Sequence, residues 1–130
     1  MNITSVPILP PGGILMAFTP EQLKDIESAG NGFLVIRRPP PEIRDQVDLA
    51  YKIEGQSVFI HEIRAQWRNP DKKIESPVAK ATYVETRKHW KIFWMRADLK
   101  WHGYDPNSEV TTIADFFKIV HEDKHSCFWG

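Results

Sequence analysis

Three groups of residues have types and spacings that could do chemistry. The first is Asp98-Leu99-Lys100 with Glu62 or Asp71 upstream. An acid-x-Lys pattern with a further carboxylate suits a metal-dependent phosphodiester hydrolase, where carboxylates hold Mg²⁺ and the lysine stabilises the attacking water or the phosphate. Asp98 falls in a predicted hairpin turn, and so short a pattern is frequent by chance. The second is His121 and His125, four apart and so on one side of a helix if the helix lasts that far, with Cys127 close behind. Zinc uses such ligands, but no matching pair stands elsewhere in the chain, and two solvated histidines at a helix end is the simpler reading.

The third group is "KHWKIFWMRADLKWHGYDP", residues 88–106, where tryptophans interleave with lysines and arginines. Rings among cations can be a base-stacking platform or a half-buried sheet. Two-residue turns at Arg87-Lys88 and Asp98-Leu99 send alternate side chains to opposite faces. One face then gathers Ala79, Ala81, Tyr83, Trp90, Ile92, Trp94, Arg96 and Trp101, a core wall with Arg96 beside Trp101 at its rim. The other gathers Lys80, Lys91, Phe93, Met95, His102 and Tyr104. That second face is either a solvated or dimer-forming surface, or a platform where Phe93 and Tyr104 stack on bases and Lys80 and Lys91 meet phosphates. Arg64, Arg68, Lys72 and Lys73, around the polar stretch "RNPDKKIESP", could add an anion contact.

The elements that must position these groups are readable. Thr19-Pro20-Glu21-Gln22 is a capping box with proline at the first helical position. Leu23, Ile26, Gly30 and Phe33 give the helix an apolar face. Gly30-Asn31-Gly32 weakens its middle; a continuous, strained helix to Arg37 is expected, ended by Pro39-Pro40-Pro41. Val47, Leu49, Tyr51 and Ile53 alternate as a half-buried strand, and Ser57–Trp67 is a second strand after Glu54-Gly55-Gln56. A two-residue loop puts Val58 and Ile60 on the face of Tyr51. A three-residue loop puts Phe59, His61 and Ile63 there, and is expected because it gives the cleaner apolar face. Residues 68–77 read as a loop, and Val78–Glu85, Trp90–Arg96 and Lys100–Tyr104 as three more strands. Thr111 or Thr112 caps a closing helix with Ile113, Phe116, Phe117 and Val120 inward and Asp115 in its first turn. Phe128 and Trp129 are expected to dock back on the domain. The order implies an α+β fold: an antiparallel sheet of about five strands with an N-terminal and a C-terminal helix on one face.

Composition narrows the function classes. The 130 residues suit one domain, with residues 18–130 as its body and residues 1–17 as an extension; translation from Met16 would omit most of that extension. Basic and acidic residues both number 17, which excludes a uniformly basic coat. Yet residues 61–101 carry ten basic and five acidic side chains, and four of the five tryptophans, so the basic excess is local. A single cysteine fits a reducing cytoplasm. No apolar run is long enough for a membrane span, and Gly12-Gly13 lacks the strand, helix and lysine of a phosphate loop, so no cofactor is expected.

"YKIEGQSVFIHEIRAQWRNPDKKIESPVAKATYV", "WKIFWMRADLKWHGYDP" and the terminal "CFWG" are similar to a bacterial family catalogued as a domain of unknown function, number three-zero-two-four. The resemblance spans about Phe18–Gly130, leaving residues 1–15, His121 and His125 outside its pattern. It implies small stand-alone bacterial proteins, some in mobile gene cassettes, and supplies no catalytic residues. The expectation is a binding domain for single-stranded nucleic acid or a protein partner. The alternatives are the hydrolase and a homodimer whose sheet face is buried against its twin.

Overall fold

The computed structural model describes residues 18–129; the expected extension and alternative start lie outside them. Helix α1 runs unbroken from Pro20 to Arg37. The Thr19 hydroxyl accepts the Gln22 N–H (3.1 Å) and the Gln22 side chain accepts the Thr19 N–H (2.8 Å), the capping box expected. Gly30 has a packing role: a Cβ there would sit 2.6 Å from the Tyr51 ring, so only glycine lets the helix lie this close to the sheet.

Six antiparallel strands follow: β1 Val47–Glu54, β2 Ser57–Ala65, β3 Lys73–Val84, β4 His89–Met95, β5 Trp101–Gly103 and β6 Glu109–Val110. The sheet order is β1-β2-β3-β4-β5, and β6 also pairs with β4. β5 and β6 share one edge of β4, with a short 3-10 turn at Asp105–Asn107 between them. Ile92 spans the gap, accepting the Tyr104 N–H (2.9 Å) and donating to the Ser108 carbonyl (3.0 Å).

Helix α2, Ile113–Glu122, returns across the same face as α1, capped by the Thr112 hydroxyl on the Asp115 N–H (3.1 Å). Its Phe117 meets Phe33 of α1 (5.3 Å between ring centroids) and Tyr51 of β1 (6.0 Å). Ile113, Phe116, Phe117 and Val120 are all buried, as the apolar spacing implies. The tail docks as expected. Asp123 turns left-handed at the end of α2 (φ 41°), and its carboxylate accepts the N–H groups of Cys127, Phe128 and Trp129 at 2.8, 3.1 and 3.0 Å. Trp129 donates its indole N–H to the Val120 carbonyl (2.8 Å), and the Arg37 guanidinium lies 4.5 Å above its ring.

The registers depart from expectation in four places. The β1–β2 loop is the two-residue Gly55-Gln56, with Gly55 at φ +56°. Val58 and Ile60, both fully buried, therefore join Tyr51 under the helices, and Phe59, His61 and Ile63 go to the opposite face. The polar stretch 68–77 is only partly a loop: β3 starts at Lys73 and pairs with β2, with a bulge at Val78 opposite Ile60 and His61. Pro77 is tolerated because no β4 residue pairs with it there. The β3–β4 loop has four residues, pairing Val84 with His89, a slip of two that preserves both faces. The β4–β5 loop has three, Ala97-Asp98-Leu99, pairing Met95 with Trp101. That slip of one exchanges the faces of every residue beyond it.

Candidate functional site

The two helices cover one face of the sheet. The other, the open face, carries Phe59 and His61 of β2, Lys80 and Thr82 of β3, Lys91, Phe93 and Met95 of β4, and Trp101 of β5. Lys80 stands at its middle, with Phe59 as one cross-strand neighbour and Phe93 as the other. Its ammonium lies 4.6 Å from the Phe93 ring centroid and 4.9 Å from that of Trp101. Phe59 closes the cluster, 6.0 Å from Trp101. Among the described residues no carboxylate lies within ion-pair distance of Lys80 or Lys91. Burial pushes the Lys80 ammonium below its ordinary pKa, and the π faces supply part of the missing solvation.

Three carboxylates on this face are paired. Asp48 takes a two-pronged bond from Arg38 (2.8 Å each), which holds it below the usual aspartate range. Glu75 pairs with Lys52 and is lowered by it. Glu109 pairs with Arg87 at 2.9 Å. Glu54, at the β1–β2 turn, has no ion-pair partner among the described residues, and its charge acts on His61. His61 has its Nδ1 buried without a hydrogen bond, 3.7 Å from Glu75; burial, then the Lys52 charge, lowers its pKa. Ser57 and Thr82 share a hydroxyl–hydroxyl bond of 2.8 Å.

Of the residues predicted for this platform, Lys80, Lys91, Phe93 and Met95 are brought together here. His102 and Tyr104 are not. The one-residue slip turns both to the helix side, where Tyr104 is buried against Phe128 (4.9 Å) and His102 bonds Asp98 at the rim (2.8 Å). Trp101 takes Tyr104's expected place, and Arg96 stacks on Trp94 (5.4 Å) instead of Trp101. Phe59 and Trp101 were missed from sequence because both depend on loop parity; the turn-forming Gly55 was the available signal for Phe59.

The hydrolase candidates are separately engaged. Glu62 accepts from Arg64 (2.7 and 3.1 Å), Asp98 accepts the Lys100 N–H (2.9 Å) and is lowered by its bond to His102, and Asp71 stands in an exposed turn. Nor do the zinc candidates converge. α2 ends at Glu122, before His125; His121 lines the groove between the helices, while His125 packs on Tyr104 (6.3 Å) and Cys127 is a thiol raised by burial. Among the described residues no three His, Cys, Asp or Glu side chains are placed to hold a metal ion. Of the predicted anion-binding cluster, Arg64 is held by Glu62 and Lys73 reaches the Asp45 carbonyl, leaving Arg68 and Lys72 at the β2–β3 tip.

A cleft of about 530 Å³ lies on the helix side between α1, Tyr83, Trp90 and the start of α2. Three of its polar side chains have partners: Gln22 caps α1, Thr112 caps α2, and Lys88 pairs with Glu85 at 3.5 Å; Asp25 and Ser28 also line it. The open face sets Lys80 between two rings without a carboxylate partner among the described residues.

Residues 18–130 match the model of the family described as "Domain of unknown function (DUF3024)". No curated protein and no solved structure matches the chain. No helix among the described residues is long and apolar enough to cross a membrane.

Proposed function

We propose that this chain, which belongs to the DUF3024 family, binds single-stranded nucleic acid on the open face of its sheet. One observation carries the reading: the ammonium of Lys80, with no carboxylate partner among the described residues, sits between the rings of Phe93 and Trp101 in the middle of that face. Taking a cation partly out of water without a partner is unfavourable. A phosphate laid over it would supply the missing charge while bases stack on the neighbouring rings. Base–aromatic stacking contributes about 1–3 kcal/mol per base and tolerates any sequence. The expected ligand is therefore an unpaired strand bound with little base preference. Phe59, Phe93 and Trp101 form the platform, with Lys80 and Lys91 near the backbone. A protein partner is less well matched, since the acids Asp48, Glu75 and Glu109 are already paired and the charge set against the Phe93 and Trp101 rings is a cation.

Fluorescence anisotropy with labelled single-stranded RNA and DNA tests this. Binding should weaken as salt rises, with a slope of roughly 0.7 per phosphate neutralised. Lys80→Met should lower both affinity and slope, and Phe93→Ala should lower affinity with the slope retained. No binding at low salt would sink the reading. Light scattering of the same samples reports the rival use of the face: a dimer that Phe93→Ala dissociates, without any oligonucleotide affinity, would assign the face to self-association.

A further inference from the structure

The β2–β3 loop points to the extent of the ligand. Trp67, two residues past the end of β2, is 87% exposed, in a chain whose other described tryptophans are all at least partly buried. The loop that carries it is well braced. Gln66 donates to the Lys72 carbonyl (2.9 Å), Lys72 donates to Asn69 (2.9 Å), and Pro70 occupies the second position of that turn, where its fixed φ fits. The base of the loop is tied to the sheet by Ala65 donating to Gln46 (3.0 Å), by Lys73 on the Asp45 carbonyl and by Arg64 on Glu62. An indole is thus held in water by a structured loop. The Arg68 guanidinium lies 5.5 Å over its ring, and Lys72 stands on the same loop. Neither cation has a carboxylate within ion-pair distance among the described residues.

Phe59 and Trp67 lie eight residues apart on one strand and its extension, a span of at most about 26 Å at ~3.3 Å per residue. Between them on the open face stand His61 and Ile63, with Glu75 held by Lys52. Asp48 and Glu75, which flank this route, are paired with Arg38 and Lys52, while Asp71 stands exposed on the tip loop beside Lys72.

We propose that the tip is a second contact for the same single strand: Trp67 stacks on a base beyond the platform, and Arg68 and Lys72 meet the phosphates beside it. This inference rests on the reading of the open face and adds a length requirement to it. The bound strand must be long enough to reach from Phe93 and Trp101 across β2 to Trp67.

The test compares two oligonucleotide lengths near the ends of the roughly 4 to 16 nucleotides that single-strand-binding folds occupy. Trp67→Ala should weaken the longer oligonucleotide by roughly five- to a hundredfold, the contribution of one base–aromatic stack, and leave the shorter one unchanged. Trp67→Phe, which keeps a ring, should retain most of the affinity for the longer. Lys80→Met should weaken both lengths. An exposed loop residue is expected to change stability by less than about 0.5 kcal/mol, so the Trp67 variants stay folded. If Trp67→Ala binds both lengths as the unsubstituted protein does, or weakens both equally, the tip proposal is overturned and the platform reading stands. Absence of binding at either length in the unsubstituted protein defeats both. Anionic phosphatidylglycerol vesicles supply the competing outcome: vesicle binding lost in Trp67→Ala, with long-strand affinity intact, would assign the loop to a lipid surface.

Discussion

The two faces of this sheet are built from the same strands, and both are rich in aromatic rings, yet they obey different rules. On the covered face every buried residue among those described is apolar or an aromatic with an apolar body, and none of them is charged. Trp90 stacks on Phe18 at 5.4 Å and packs on Tyr83 at 5.1 Å, with small Ala79 and Ala81 making room. The open face has rings of the same kind, but sets a lysine and a histidine among them, each shifted by burial toward its neutral form. Close packing explains the first face. It does not explain the second, where an apolar side chain in place of Lys80 would fill the space without the desolvation. That difference is the ground on which we propose the open face as a contact surface.

Four substitutions or conditions break or sharpen the contrast. The largest effect belongs to the covered face. Phe116 is fully buried, and Phe116→Ala should cost about 3–5 kcal/mol in denaturant unfolding. Gly30→Ala pushes a methyl into the buried Tyr51 ring, and overpacking of this kind should cost about 1–3 kcal/mol; retained stability would show that α1 can lift off β1. Lys80→Met acts in the other direction on the open face. Because the folded state holds Lys80 below its ordinary 10.5, the unfolded chain binds its proton more tightly. Stability should therefore rise with pH between the lowered value and 10.5. Removing the amine should leave stability unchanged or raise it by up to about 1 kcal/mol, the cation–π contribution offsetting part of the gain. A large loss would mean the lysine is structural.

The smallest effect is that of His61. Its pKa is lowered by burial, so its contribution is fully present above the ordinary histidine value of 6.5 and fades as pH falls from there through the folded value. A shallow loss of melting temperature over that range, flattened in His61→Gln, is expected. An unchanged slope in the variant would assign the acid sensitivity elsewhere, Asp48 being a candidate only at lower pH, where its bond from Arg38 is lost.

Much of the architecture was legible because it rests on local chemistry. Thr19, Pro20 and Gln22 announce one helix, Thr112 and the Ile113–Val120 spacing the other, and Phe128 and Trp129 could not plausibly stay in water. The candidate site was legible only in part, and the reason is parity. At β3–β4 the expected loop was two residues too short, an even error, so Lys80, Lys91 and Phe93 were still placed on one face. At β4–β5 it was one residue too short, an odd error, so Tyr104 and His102 were expected where Trp101 stands. Nothing local announces that third loop residue: the left-handed position is taken by Leu99 (φ 62°), where glycine or asparagine would have signalled it. In the first hairpin Gly55 signals the two-residue turn, while the apolar spacing of Phe59, His61 and Ile63 points to the longer one. Val58 and Ile60 go under the helices, and the Phe59 ring packs beside Lys80 and, 6.0 Å away, Trp101 on the open side.

The three-residue loop Ala97-Asp98-Leu99 has an evolutionary corollary. Since side-chain direction alternates with strict period two, loop length acts as a reading phase for the strand that follows. Deleting a single codon here would rotate Trp101 inward and bring His102 and Tyr104 to the surface, with every other amino acid unaltered. Descendants of such a chain would show near-identical letters in an alignment while presenting different chemistry to solvent. Gaps in this hairpin, counted as odd or even, thus say more about which side chains a relative would turn to its open face than percentage identity across it.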